Sequence, residues 1–436
     1  MLSRSAVLHL AFSPILTLTA LGCGAASGAD EPGAEVSEIS SAVTTPLITS
    51  ATTANLFATL NGLTTTAISS KINTEWATYK SQRIRYLGTK AYVSDGGSPA
   101  KVLTEGMGYG MMLAVQMNDQ TLFDQLYAFV QAYMLITDTS GSLAYANGYH
   151  RWKINADGTP DSTANSVAPD GEEWIAASLS VAKRRWASGT YNYGTEASTL
   201  WHRLEYPVNA FGGFCIDPTS TNAGYHVVRF GPYNTFTDPS YILPGFYALA
   251  ADTLSGTDAT DYADIYSKGH AFLQNTPANP SNTSQNWGLH PDYANWDGSP
   301  RQANTSDAYG PVFSFDAFRT TMNMAMDLGW TGNGSGYYWQ VASRRQDQFY
   351  YYGSTVGATV GLGVGGFSYG QLVSSSKPVA LVAANATASA LYTWANTERA
   401  SFTNALWTTY HPSDYYGDNL YMVGLLMAGG QFRNSF

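Results

Sequence analysis

Cysteine is almost missing from this chain of 436 residues: only Cys23 and Cys215 occur. There is no CxxC pair and no HExxH motif, and the seven His are scattered, so no metal site is readable. Neither a metal nor any other cofactor is expected. Charge is scarce too. Charged residues make up 12% of the chain, against about 25% in an average globular protein. Lys and Arg number 22 against 32 Asp and Glu, a formal net charge of -10. Nucleic-acid binding needs clustered basic side chains, and anionic lipid attracts polybasic segments; this balance supplies neither. Past Leu21 no apolar run approaches transmembrane length. What the chain has in quantity is rings: 30 Tyr, 18 Phe and 11 Trp within a sequence that is 44% hydrophobic. Few charges and many rings suit a neutral, flat partner met by stacking and hydrogen bonds. A saccharide fits, with the protein expected to act as a monomer.

The N-terminus reads as an address. Arg4 precedes an apolar run from Ala6 to Leu21, broken by His9 and Pro14 and followed by small residues. That is a secretory h-region rather than a membrane span. Ala20-Leu21-Gly22-Cys23 resembles a bacterial lipoprotein cleavage site, with Ala20 where such sites prefer Leu and Leu21 where they prefer a small residue. Simple secretion and a lipid anchor at Cys23 both remain open. If Cys23 is lipidated or removed, no intramolecular disulfide can form, and stability must come from core burial.

From Gly24 to Asn55 there is no aromatic residue, and between Arg4 and Lys71 there is no Lys or Arg. Such a stretch buries too little apolar surface to offset its ordering entropy. The expected organisation is a signal peptide over 1–22, a flexible tether over 23–60 and one domain over 61–436. Helical periodicity dominates the domain. Leu122, Leu126, Phe129, Val130 and Tyr133 share a stripe, as do Ile175, Leu179, Ala182 and Trp186, and Phe318, Met322, Ala325 and Met326. Further helices are expected near Ile242–Ala251, Tyr262–Leu273, Tyr338–Tyr351, Val379–Ala395 and Gly417–Met427. Long Gly-, Asn- and Pro-rich connections such as Asn275–Gly310 join them. An all-α bundle or barrel carrying its site on loops follows.

Three acidic positions stand at the start of helical patterns: Glu105 in Thr104-Glu105-Gly106-Met107-Gly108-Tyr109-Gly110, Asp170 in Pro169-Asp170-Gly171-Glu172-Glu173-Trp174, and Asp316 in Phe315-Asp316-Ala317-Phe318-Arg319. Helix capping accounts for such residues as readily as chemistry does. Asp170 with Glu173 fits an acidic capping box, and Asp316 fits an N-cap. Glu105 fits capping less well, because Gly106, Gly108 and Gly110 crowd it and open the backbone to close approach.

The segment Thr104 to Met117 closely resembles the signature of glycoside hydrolase family 8, a [Ser/Thr]-Glu-Gly-x-x-Tyr-Gly motif. The Asp170 and Asp316 segments, the latter with Met322-Asn323, resemble two further family strips in the family's order. The resemblance covers the chain from about Lys71 to the C-terminus. It implies an (α/α)6 barrel with a long groove at one end, and inversion at the anomeric carbon. Glu105 would be the general acid, Asp316 the base that activates water, and Asp170 the residue gripping the sugar at the cleavage point. Inverting glycosidases separate their two carboxyls by about 6.5 to 9.5 Å to admit that water. Arg319 would pair with one of the carboxylates. Trp152 stands where the family places a stacking ring, and Tyr241, Trp296 and Tyr309 are further candidates for substrate contact, whereas Trp174 and Trp186 read as core.

Gly106-Met107, the Asp170 to Glu173 run, Phe236 to Tyr241 and Leu289 to Tyr293 resemble the xylan-cleaving branch more than the cellulase branch. Ile242 departs from it, since a His is expected there. Hydrolysis of β-1,4-xylosidic linkages is therefore the expected activity, by an endo or a reducing-end exo mode. A β-1,4-glucanase or chitosanase of the same family, and a non-catalytic carbohydrate-binding protein, are the alternatives. A polysaccharide lyase would call for the basic residues this chain lacks.

Overall fold

The computed structural model describes residues 46–206, 213–216, 227–278, 288–304, 307, 310–313, 315–333, 337–352, 360–363, 372–374, 379–412 and 414–436. The expected leader, Cys23 and Tyr309 lie outside the described residues. In chain order the helices are α1 (Leu56–Asn61), α2 (Thr65–Arg83), α3 (Thr104–Gln116), α4 (Gln120–Phe129), α5 (Pro169–Trp186), α6 (Tyr193–Glu205), α7 (Pro244–Thr253), α8 (Gly256–Asn275), α9 (Thr320–Thr331), α10 (Tyr338–Asp347), α11 (Val379–Ala388), α12 (Asn396–Thr408) and α13 (Tyr415–Ala428).

Their packing closes a ring. Helix α3 packs on α5, α5 on α7, α7 on α9, α9 on α11, α11 on α13, and α13 returns to α3. The intervening helices form a second layer outside: α2 packs on α13, α4 on α3, α6 on α5, α8 on α7, and α10 and α12 on α11. Burial shows which layer is which. Every residue from Gly106 to Gln116, from Ala380 to Ala388 and from Gly417 to Ala428 is buried, so these helices have no solvent face. Helix α2 instead buries one stripe, Ile68, Ile72, Trp76, Tyr79 and Arg83.

Local chemistry starts the helices. Asp119, Asn192 and Asp414 accept backbone N–H groups at the beginnings of α4, α6 and α13, and Pro169 opens α5. Short strands break the expected all-helical pattern without changing its class. One pair, β1 (Lys101–Leu103) and β2 (Lys153–Asn155), runs antiparallel and delivers the chain directly into α3.

The described part of the expected tether, residues 46–60, is packed. The N–H groups of Thr49 and Ser50 donate to the Trp330 carbonyl at 2.8 and 2.9 Å, Thr53 Oγ1 donates to Met427 O at 2.8 Å, and Leu56 and Phe57 are buried. Residues 46–60 therefore belong to the packed body, held by backbone bonds that composition does not reveal. Helix α11 ends at Ala388 rather than near Ala395, which has a positive φ of 54° in an exposed loop.

Candidate active site

The starts of inner helices α3 and α5 and the turns before α7 and α9 converge on one side chain, Arg319, which is 3% exposed. Helix α3 has no side-chain cap; the Thr104 N–H donates to Trp152 O at 3.0 Å, which leaves Glu105 in the first turn with its carboxyl free for other contacts. Asp170 is the second residue of α5, and Ala168 is the N-cap there, so the capping-box alternative does not hold. Glu173 accepts the Tyr247 hydroxyl at 2.7 Å instead. Asp316 sits inside a short 3-10 turn, Phe315–Arg319, that precedes α9 rather than capping it.

Arg319 joins all three acids. Its Nη1 lies 2.5 Å from Glu105 Oε1 and 3.6 Å from Asp170 Oδ2, and it donates to the Tyr109 hydroxyl at 3.1 Å. Its Nη2 lies 3.2 Å from Asp316 Oδ2 and donates to Ser240 Oγ at 3.0 Å. The terminal nitrogens of a planar guanidinium are about 2.3 Å apart, so these Glu105 and Asp316 oxygens are separated by no more than about 8 Å. Both carboxyls thus lie close enough to act on one bond. Their exposures differ: 14% for the Glu105 side chain, 8% for Asp170 and 33% for Asp316. Water can reach Asp316 more easily than the other two.

One guanidinium faces three carboxyls, and burial removes the water that would otherwise keep them ionised. Burial pushes the Glu105 carboxyl up to about 8; Arg319 opposes this, while Asp170 and Asp316 add to it. Asp170 is raised to about 6, again by burial first, with Arg319 opposing and Asp316 reinforcing. Burial thus favours the protonated form of both Glu105 and Asp170, against the pull of Arg319.

Several further groups at this site take roles that only the fold shows. Tyr415, at the start of α13, donates its hydroxyl to Glu105 Oε2 at 3.4 Å across 310 residues. Ser240 is held by Asp238 Oδ1, which accepts its N–H at 2.7 Å, and Asn323 donates to the carbonyls of Ser240 and Ile242 at 2.8 and 3.1 Å. Asp238 and Asp292 are buried acids beside Asp316, and their carboxyls are raised well above the usual range by burial and by neighbouring acids.

The ring candidates separate. Trp152 is partly exposed, with Lys153 Nζ 4.6 Å from its ring centre, and its carbonyl anchors the residue before Glu105. Tyr241 is only 6% exposed, stacks on Phe230 with centroids 5.7 Å apart, and lies 5.6 Å from the Arg319 guanidinium. It packs beside the hub rather than offering an open platform. Trp296 is partly buried against the core, Trp174 is buried and Trp186 packs on the core. Ile242 is fully buried, so its side chain fills core where a polar contact was expected.

Residues 50–430 match the sequence profile of glycosyl hydrolases family 8. The chain belongs to this family. The enzyme is 31% identical, over 79% of its own length and 85% of the relative's, to the reducing-end xylose-releasing exo-oligoxylanase Rex8A of Paenibacillus barcinonensis. It is 29% identical to endoglucanase A of Acetivibrio thermocellus, over 61% of its length and 50% of that protein's. The structure of Rex8A complexed with xylose superposes with a TM-score of 0.75 at 30% identity, covering 88% of this chain and 97% of that one. The ring of six inner and six outer helices is the (α/α)6 barrel of this family.

Proposed function

We propose that this hydrolase cleaves β-1,4-xylosidic linkages with inversion, using Glu105 as general acid, Asp316 as general base and Asp170 to hold the sugar at the cleavage point. The observation that carries the assignment is the pair of unequal carboxyls on one guanidinium. Glu105 is largely withdrawn from solvent, its side chain 14% exposed and its carboxyl pushed up to about 8, and Asp316 is a third exposed at the far nitrogen. In this reading Glu105 gives its proton to the glycosidic oxygen as the bond from C1 to that oxygen breaks. A water held by Asp316 adds its oxygen to C1 from the opposite face and leaves its proton on Asp316. Solvent then returns Asp316 to carboxylate and Glu105 to acid. Arg319 keeps Asp316 oriented while leaving Glu105 protonated, because burial and two neighbouring acids outweigh one cation there.

Support for xylose over glucose comes from the Rex8A likeness, which spans more of both chains than the endoglucanase likeness does. Release of xylose from reducing ends has the same support. Glucose adds a hydroxymethyl group at C5, and a groove packed closely there rejects it sterically, whereas one extra apolar contact is worth only about 1 to 3 kcal/mol. Product analysis on xylan, xylo-oligosaccharides, carboxymethylcellulose, barley β-glucan and chitosan tests the reading. Xylo-oligosaccharides are expected to turn over fastest; faster hydrolysis of cello-oligosaccharides of equal length would falsify it in favour of the glucanase alternative. Residues 1–22 further support export, by simple secretion or with Cys23 as lipid acceptor. Mass spectrometry of the native protein decides between them: a diacylglyceryl adduct on an N-terminal Cys23 shows the anchor, and an unmodified mature terminus beyond it rules out the anchor but not secretion.

A further inference from the structure

Asp292 lies behind the proposed base, and the reaction as described gives it no part. Its Oδ1 accepts two backbone N–H groups, those of Asp316 at 3.0 Å and Ala317 at 3.2 Å. These belong to the first residues of the 3-10 turn Phe315–Arg319, where N–H groups lack partners within the helix. The acceptor comes from 24 residues earlier in the chain. Its own segment is braced on both sides: Asp292 N–H donates to Val312 O at 2.9 Å, and Ala294 exchanges backbone bonds of 2.9 and 3.0 Å with Thr237. Thr237 directly precedes Asp238, which holds Ser240, and Ser240 accepts Arg319 Nη2. Residues 292–294 therefore tie the wall that fixes Arg319 to the turn that carries Asp316.

We infer that Asp292 is a positioning residue that sets where the Asp316 carboxylate stands relative to Arg319 and to the attacking water. The inference rests on Asp316 being the base. Fixing the peptide of residue 316 from outside its own turn leaves the Asp316 side chain with few torsions through which to miss the water. Displacing a reacting group by about 1 Å costs about 10²-fold in rate. What the site needs from Asp292 is an acceptor oxygen in that place. Its carboxyl is 6% exposed, and burial with Asp238 and Asp316 nearby raises it well above the usual carboxyl range. A neutral carboxamide should therefore serve nearly as well as the acid.

Steady-state kinetics on xylo-oligosaccharides with Asp292→Ala, Asp292→Asn and Asp316→Ala test this. Asp292→Ala should lower kcat by about 10- to 100-fold with KM within about twofold, because binding is untouched and only the base is misplaced. Asp292→Asn should recover to within about fivefold of wild type. Wild-type kcat in Asp292→Ala overturns the inference, as does a loss confined to KM, or an Asn variant as impaired as Ala. Should the Ala variant not fold, Asp292→Glu keeps the acid but moves the acceptor by one methylene, and the same split of kcat from KM is required of it. Asp316→Ala separates the two readings. If it stays active, Asp316 is not the base and the proposed mechanism fails first; if it is inactive while Asp292→Ala is not, only the positioning role fails.

Discussion

At the scale of single residues, the proposed chemistry rests on the imbalance between Arg319 and Glu105. Changing Glu105 to Gln keeps its shape and removes the proton, so kcat should fall by about 10² to 10⁴-fold with little change in KM. The pH dependence follows from the raised carboxyl. Activity should fall on the basic side as pH passes about 8, where Glu105 loses its proton. Stability carries the same signature with a definite sign. A carboxyl whose folded pKa lies above its unfolded value contributes fully below the unfolded value, and that contribution is lost as pH rises through the folded one. Glu105 therefore destabilises the fold progressively between about pH 4.3 and pH 8. Thermal melting of Glu105→Gln should match wild type at pH 4 and exceed it at pH 9; an equal midpoint at both pH values contradicts the raised pKa. Glu105, Asp170, Asp316 and Arg319 were legible in the sequence because each sits in a short motif at a helix start. Tyr415 was not, and Asp238 and Asp292 lay in segments marked only by their branch resemblance, because the roles of all three come from contacts made between distant parts of the chain.

At the scale of elements, the glycines of α3 have a specific use. A Cβ on Gly106 would stand 2.6 Å from Cε2 of Tyr415, and one on Gly108 would collide with Trp174 of α5. By helix propensity alone, Gly106→Ala should stabilise by about 1 kcal/mol. The clash with the partly buried Tyr415 ring opposes this, and overpacking typically costs about 1 to 3 kcal/mol. The Tyr415 hydroxyl must then leave Glu105. Gly106→Ala is expected to melt below wild type and to lose at least tenfold in kcat; a variant that is stabilised and fully active contradicts this packing. Periodicity placed α13 to within two residues at each end but ran α11 on to Ala395, since α11 is buried almost all round and presents no polar stripe to mark where it stops. It passed over α2, α6 and α12, where Ser, Thr and Asn are interspersed with the apolar positions.

At the scale of the whole molecule, closure of the ring brings the starts of four inner helices, α3, α5, α9 and α13, and the turn before α7 to one point, which is why residues from 105 to 415 share a site. No sequence window contains that arrangement. The all-α class and the order of the motifs were readable; the packed strip over 46–60 was not, because it docks through main-chain bonds to Trp330 and Met427. Low charge and an excess of rings fit a barrel whose cleft meets a neutral chain, and of the acids gathered near Arg319, four (Glu105, Asp170, Asp238 and Asp292) are pushed towards their neutral form by burial. The most direct measurement is a ¹H NMR time course of xylohexaose digestion, followed from the first turnovers before the products mutarotate. New α-anomeric xylosyl reducing ends should accumulate first and relax to the equilibrium mixture. New β-anomers appearing first, or no cleavage of xylohexaose under conditions where cellohexaose is hydrolysed, would contradict the account.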